Sequence, residues 1–488
     1  MAPTASSKIP FLGGYPTSLN VSYRLSVAVI FLVAKGRHQS IGKFEFVLYR
    51  RISELTAIST GTKVMLGEVV AVAPTDGKLI LSRPPRWMEG EIMIRRGLLV
   101  SLVTAAFLLV TVTAAQADGW RTFRAGPLRV VTQNLYVGGD ILLPLSVPPE
   151  QFPAAAAEVI QQILATNYPE RAMKLSDLMR REWPHLVGLQ EVYHVKICVD
   201  MAQTICPLDQ DYLEILLANL NQGWAGYREV ATVTNIDLQN LPASLPDGTP
   251  IFVSITDRDV ILAHRFVWTE NPVADNFQTS LPVDNPLLPG FSVLRGYAMV
   301  DAFVWGREYR FVNTHLEIAG AGSPLEPFFR AVQTGQALEL IALLQQDDHV
   351  QVVVGDFNSD PFDGPFNACA APGGQCPTPY AIMSGANPFG AVYTDTWLER
   401  RGPFSIGNTC CQATLLDNVI SQLDERIDLI WARQASDHYG PRFIRNVRAK
   451  VIGEEQRDKT PASIAAPNGL WPSDHAGVSA RMILRSPK

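Results

Sequence analysis

A carboxylate and a carboxamide two residues apart, Asp356 and Asn358 in the stretch VVVGDFNSDP (352–361), bring together groups suited to phosphoryl chemistry. The carboxylate can hold a metal ion or a water, and the amide NH2 can donate to a developing oxyanion. The valines before them carry the backbone through a buried strand, and Gly355 is expected to let the chain turn where a Cβ would obstruct it. Period-two geometry then puts Asp356 and Asn358 on one side. Other polar residues stand in comparable places. Asn134 closes LRVVTQN, Glu191 closes the apolar run of HLVGLQEV, and His315 lies near the end of a further strand in NTHL. A carboxylate such as Glu191 at the end of an apolar strand is costly to desolvate unless a cation or donor meets it. Asp428 interrupts the apolar run RIDLIW, and Asp474 and His475 are adjacent just before the last apolar stretch. Side by side at a strand entrance, these two are expected to point to opposite faces and take different partners.

Such residues need rigid elements to deliver them, and the pattern supplies alternating strands and helices. Residues 128–134, 185–191, 227–234 and 260–266 read as strands, the last preceded by the charged triplet Asp257-Arg258-Asp259. Residues 297–304 and 309–316 flank Gly306 as a hairpin. Helical patterns cover 153–164 and 169–182, each opening at a proline, then 211–221 and 324–346. Residues 361–418 are rich in Gly, Pro and Cys and read as a loop region tied by disulfides.

The chain has 488 residues with a formal net charge of −6, but the charge is divided unevenly. Up to Ala117 the net is +7, and beyond it −13. The boundary falls in MIRRGLLVSLVTAAFLLVTVTAAQA (93–117), where Arg95 and Arg96, an apolar run and Ala115-Gln-Ala117 form the three regions of a signal peptide. On this reading Met93 is the initiator, and residues 1–92 are an over-extended gene model or a disordered extension. Glu89-Gly90-Glu91 requires a purine-rich coding stretch just upstream of Met93, consistent with a bacterial ribosome-binding site. The alternative is a membrane anchor: Gly97 to Ala115 is uncharged and, at about 1.5 Å per residue, just spans a bilayer. Either way residues 118–488 lie outside the cytoplasm, secreted, periplasmic or anchored. All six cysteines fall in this part, which predicts disulfides, with Cys198–Cys206 the most economical local pair. No CxxC pair is present to suggest zinc.

The series QN, QE, NTHL, GDFN, RIDLI and SDH, in that order from about Leu128 to Leu484, resembles the endonuclease/exonuclease/phosphatase superfamily. The resemblance implies an α/β fold: a four-layered αββα sandwich of the DNase I-like type, with the site at one edge of two mixed sheets. It also implies a hydrolase that uses Mg²⁺, with Mn²⁺ as a substitute. Glu191 would be the principal metal ligand, with Asn134 and Asp474 assisting. Asp356 would position or deprotonate the attacking water, and His475, oriented by Asp428, would act on the water or the phosphate. Asn358 and His315 would donate to phosphate oxygens. The general base is left open between Asp356 and His475.

One departure bears on substrate. Two residues after Asn134, where apurinic endonucleases carry a metal-binding Asp, this chain has Tyr136. Residues additional to the core, in 140–170, 236–295, 362–418 and 434–470, are expected to shape the substrate mouth. The net charge of −13 is poorly suited to a polyanion held along many phosphates, which favours a small phosphomonoester or a lipid head-group phosphodiester at a membrane surface. Arg442, Arg445, Arg448 and Lys450 form the one local basic cluster that speaks for a DNA or RNA nuclease. An inactive binding protein on the same fold is the third reading. The expected N-terminus of the exported protein is Asp118, to be read by intact mass or N-terminal sequencing. A membrane-bound product retaining Met1 would favour the anchor.

Overall fold

The computed structural model describes residues 126–484 apart from 142, 224, 246, 284–287, 365–374, 403–404 and 435–443. The signal or anchor segment 93–117, residues 1–92 and Arg442 therefore lie outside the described residues. In chain order the elements are β1 (Leu128–Asn134), α1 (Leu143–Ser146), α2 (Phe152–Ala165), α3 (Tyr168–Glu182), β2 (Leu186–Gln190), β3 (His194–Cys198), β4 (Leu208–Asp211), α4 (Tyr212–Leu220), β5 (Tyr227–Ser244) and β6 (Pro250–His264). They continue with β7 (Trp268–Asn276), β8 (Leu281–Pro282), β9 (Ser292–Val293), β10 (Gly296–Val304), β11 (Arg307–His315), α5 (Glu326–Leu344), β12 (Val350–Asp356), α6 (Pro379–Met383) and β13 (Thr394–Asp395). Last come α7 (Thr396–Arg401), β14 (Asp428–Gln434), β15 (Ile444–Ile452) and β16 (Gly477–Leu484).

Two sheets carry the fold. The first runs β15-β16-β1-β2-β6-β3-β4 with β5 also paired to β6, and the second runs β13-β14-β12-β11-β10-β7. Both are mixed, because β1–β2 and β11–β12 are parallel among antiparallel neighbours. Alternation along each central strand explains the layering. Val130 and Leu186 of the first sheet face Phe311, Val352, Val354 and Ile430 of the second in one shared core. The next residues in register, Val131 and Val187, pack outward under α2, α3 and α4. Val312 and Val353 likewise pack outward under α5 and α6. The layers are thus helix, sheet, sheet, helix. Strands buried on both faces read as unbroken apolar runs, which is why the sequence marks them so clearly. Among the described residues no helix is long and apolar enough to cross a membrane.

Several local expectations are refined. Residues 236–295 do not form loops alone: β5 and β6 run on as a long two-stranded extension, and Asp257-Arg258-Asp259 lies within β6 rather than before it. The β10–β11 turn is Trp305-Gly306, both with positive φ, the two-residue geometry that suits a hairpin's twist. Arg445, Arg448 and Lys450 lie exposed on β15, an edge strand, and Lys450 is paired with Glu182 at 2.6 Å. Cys198 and Cys206 are disulfide-bonded, as are the neighbours Cys410 and Cys411.

Gly355 is needed for a different reason from the turn anticipated for it. It lies inside β12 with φ +154°, and a Cβ there would stand 2.0 Å from the Thr314 carbonyl oxygen of β11. A backbone obstacle cannot rotate away. Gly355→Ala is expected to cost about 3 kcal/mol or more, the upper range for overpacking. A lowered denaturant midpoint at unchanged slope would report it, and an unshifted midpoint would refute the close approach.

Candidate active site

Four strands end at the same edge of the sandwich. Asn134 closes β1, Glu191 follows β2, His315 closes β11 and Asp356 closes β12, while Asp428 opens β14 and His475 precedes β16. Parallel pairing of β11 with β12 sets His315 beside Asp356, and antiparallel pairing of β12 with β14 sets Asp356 opposite Asp428. The chain leaves these strands through left-handed residues, Tyr136, Glu191 and Asn358, all with φ between 47° and 58°. Asn358 therefore reaches its place through a left-handed turn and not through the strand pleat. Such conformations persist in non-glycine residues only where their surroundings hold them.

Asn134 joins the two sheets at the site. Its Nδ2 donates to Glu191 Oε1 at 3.0 Å and to Asp356 Oδ2 at 3.1 Å, and its Oδ1 accepts from the Tyr136 N–H at 3.0 Å. In this geometry Asn134 chiefly aligns the two carboxylates. Tyr136, at the position where a metal-binding Asp was considered, instead donates its hydroxyl to the Thr414 carbonyl at 3.0 Å. Burial, with the Asp474 and Glu191 charges nearby, pushes that phenol further from ionisation.

Asp356 Oδ2 lies 3.6 Å from His315 Nε2 and 3.7 Å from His475 Nδ1. Its Oδ1 accepts from the Asn358 N–H at 2.9 Å. Burial and the neighbouring Asp428 push this carboxyl up to about 7, against the pull of His475. The two imidazoles have opposite surroundings. His475 Nδ1 meets Asp428 Oδ2 at 2.8 Å, and Asp428, Asp474 and Asp356 together outweigh burial and hold the ring well above its usual range. His315 is driven well below it by burial, Arg295 and His475. Asn358 donates Nδ2 to the Leu316 carbonyl at 2.9 Å, leaving its second amide hydrogen for another acceptor.

Asp474 and His475 do not point apart as expected: His475 Nε2 lies 4.0 Å from Asp474 Oδ1, while its Nδ1 takes Asp428. Asp474 is partly exposed and pushed up to about 7 by burial and by the Glu191 charge, with His475 acting the other way. Among the described residues neither Glu191 nor Asp474 takes an ion pair with Lys or Arg. Two partly exposed carboxylates that repel each other beside an amide make an oxygen-rich donor set suited to a hard divalent ion.

Several functional supports were not apparent in the sequence. Arg171 of α3, fully buried, donates to the carbonyls of Thr166, Leu135, Tyr136 and Pro472, holding the loops that carry Asn134 and Asp474. Thr409 Oγ1 accepts from the Ile427 and Asp428 N–H groups, and its carbonyl accepts from Ala476, so one residue braces both members of the Asp428–His475 pair. Arg295, Asp257, Asp259 and Glu317 form a buried ionisable group behind His315, in which burial pushes both aspartates up. Only the unusual acid-base-acid triplet in an apolar context hinted at it.

Residues 235–475 match the model described as the Endonuclease/Exonuclease/phosphatase family. The match takes in just under half of the chain, and over that segment the chain is similar to this family. No curated protein matches the chain in sequence. Among solved structures it is similar to an endonuclease/exonuclease/phosphatase family protein from Bacteroides thetaiotaomicron, with 15% identity, 75% of this chain and 100% of that one covered, and a TM-score of 0.43. It is also similar to a mannosyl-6-phosphatase from the same organism (16%, 73% and 100%, TM-score 0.41) and to truncated TDP2 from Caenorhabditis elegans (14%, 73% and 97%, TM-score 0.38).

Proposed function

We propose that this protein is a divalent-metal-dependent phosphoester hydrolase in which water attacks phosphorus directly, with no covalent enzyme intermediate. The observation that carries this is the convergence on Asp356 Oδ2 of Asn134 Nδ2 from one sheet and His315 Nε2 from the other, with His475 Nδ1 beside them. Glu191 and Asp474 would hold Mg²⁺ or Mn²⁺, aligned by Asn134. Such an ion, when bound, polarises a phosphoryl oxygen and neutralises developing charge.

The protein's own residues supply the proton chemistry. Asp356 accepts a proton from the attacking water: its carboxyl stands between the two imidazoles, and burial with the neighbouring Asp428 pushes it up to about 7, into the range of a base. His475, held between Asp428 and Asp356, keeps its proton and so serves as cation toward the phosphate and as acid toward the departing alkoxide. The base is therefore assigned to Asp356 and not to His475. His315 Nε2 and the free Asn358 amide hydrogen donate to phosphate oxygens as negative charge grows.

A small phosphomonoester or lipid head-group phosphodiester is the favoured substrate. The support is the net charge of −13 beyond Ala117, together with a basic cluster whose Lys450 is already paired with Glu182. Action outside the cytoplasm is supported by the disulfide-bonded cysteines.

Turnover is expected to require Mg²⁺ or Mn²⁺ and to vanish in chelator. Glu191→Ala, Asp356→Ala and His475→Ala should each lower it by ~100-fold or more. Full activity in chelator would remove the metal from the mechanism. Substrate class is read from plasmid DNA, oligonucleotides, RNA, sphingomyelin, inositol phosphates and a chromogenic phosphodiester compared at two salt concentrations. Plasmid nicking that falls steeply with salt, with no action on the lipid or small phosphates, would make it a nuclease.

A further inference from the structure

We propose that Arg295 is a positioning residue that fixes the tautomer of His315, so that the imidazole presents a protonated Nε2 to the site and an unprotonated Nδ1 to the interior. The tautomer follows from donor chemistry alone. What the Nε2 proton does rests on the phosphoester reading above.

Arg295 Nη1 lies 3.0 Å from His315 Nδ1, and both side chains are buried. A guanidinium carries only donors and stays protonated throughout the range in which proteins fold. Nδ1 must therefore accept. A neutral imidazole has one donor and one acceptor nitrogen, so the proton is on Nε2, the atom that lies 3.6 Å from Asp356 Oδ2. The contact is built into the hairpin. Gly296 pairs with His315 across β10 and β11, so Arg295 enters the register one residue before its partner.

The remaining groups around the ring make this choice consequential. His315 Nδ1 also faces Asp259 Oδ1, but at 3.9 Å, too far for a hydrogen bond. Asp257 and Asp259 both accept from Asn235 Nδ2, at 3.4 and 2.8 Å, and each leaves its Oδ1 without a hydrogen-bond partner. Arg295 in turn donates Nη2 to Glu317 Oε1 at 3.4 Å. Asp356 and the His475 cation complete the surroundings on the site side. If the guanidinium were absent, the group nearest Nδ1 would be Asp259, whose carboxyl burial and Asp257 push well up, so that it holds a proton it can pass to that nitrogen. The ring would then become an imidazolium or adopt the opposite tautomer, and it would no longer offer the site a neutral Nε2–H. A buried arginine among three carboxylates is an uneconomical way to stabilise a core, since apolar residues fill such space at lower cost. As a tautomer lock its placement has a reason.

The test uses the full chain carrying ring-¹⁵N histidine, with the His315 signals assigned by their loss in His315→Gln. In the unsubstituted protein Nδ1 should resonate as an unprotonated nitrogen and Nε2 as a protonated one across the neutral range. In Arg295→Met, Nδ1 should become protonated near neutral pH, and turnover of the chromogenic phosphodiester should fall by ~10- to 100-fold with a new acidic limb in its pH profile. Arg295→Lys, which restores a donor, should recover the original tautomer and part of the rate. A merely structural role would lower activity in Arg295→Met without moving the proton, and that result would overturn the proposal. So would a protonated Nδ1 in the unsubstituted protein, which decides the question even if the methionine variant does not fold. A protein with the stated tautomer that hydrolyses no phosphoester would instead remove the functional reading and leave the positioning role standing.

Discussion

A buried polar bridge between the two sheets sets everything at the site edge. Asn313 of β11 donates Nδ2 to the carbonyls of Leu189 and Val260 at 2.8 and 3.2 Å, and its Oδ1 accepts from Gln190 Nε2 at 2.5 Å. An apolar sandwich core can slide, because burial is indifferent to small displacements along the strands. Directional bonds buried away from water cannot be broken without a desolvation cost, so they specify one alignment. Gly188 makes the bridge feasible: a Cβ there would lie 2.5 Å from Asn313 Oδ1. With that alignment fixed, Glu191, one residue beyond Gln190, comes to the same edge as Asp356, beside His315 in the parallel register. Asn134 then needs only one amide to reach both.

Much of the frame was legible because the central strands are buried on both faces and read as apolar runs. β1 and the β10–β11 hairpin fell where the pattern put them, and α2, α3 and α5 opened at their prolines within a residue or two. The residues at strand ends were legible for a related reason, since a carboxylate or amide stands out where an apolar run stops. What could not be read is whatever depends on a partner distant in sequence. Arg171 sits in an ordinary amphipathic helix, and only the folded chain brings four carbonyls around it. Asp257 and Asp259 looked like a strand's approach because two acids on one face contradict burial, until Asn235 and Arg295 arrive from elsewhere. The role of Gly355 was misread because the Thr314 carbonyl that crowds it belongs to another strand.

The two site histidines illustrate how one residue type is given two states a few ångströms apart. Each faces Asp356, and each is buried, so burial alone would leave both neutral. The difference lies behind the rings. Asp428 accepts from His475 Nδ1 and so stabilises an imidazolium, while Arg295 donates to His315 Nδ1 and so excludes one. If both were cationic, the buried edge would hold two like charges flanking one carboxylate. If both were neutral, neither would hold a proton ready for a departing alkoxide. Opposite groups behind matched rings give one acid and one neutral donor, and they leave Asp356 as the carboxylate that can take a proton from water. In this reading the phosphoryl chemistry is set less by the residues that face the substrate than by the charges placed behind them.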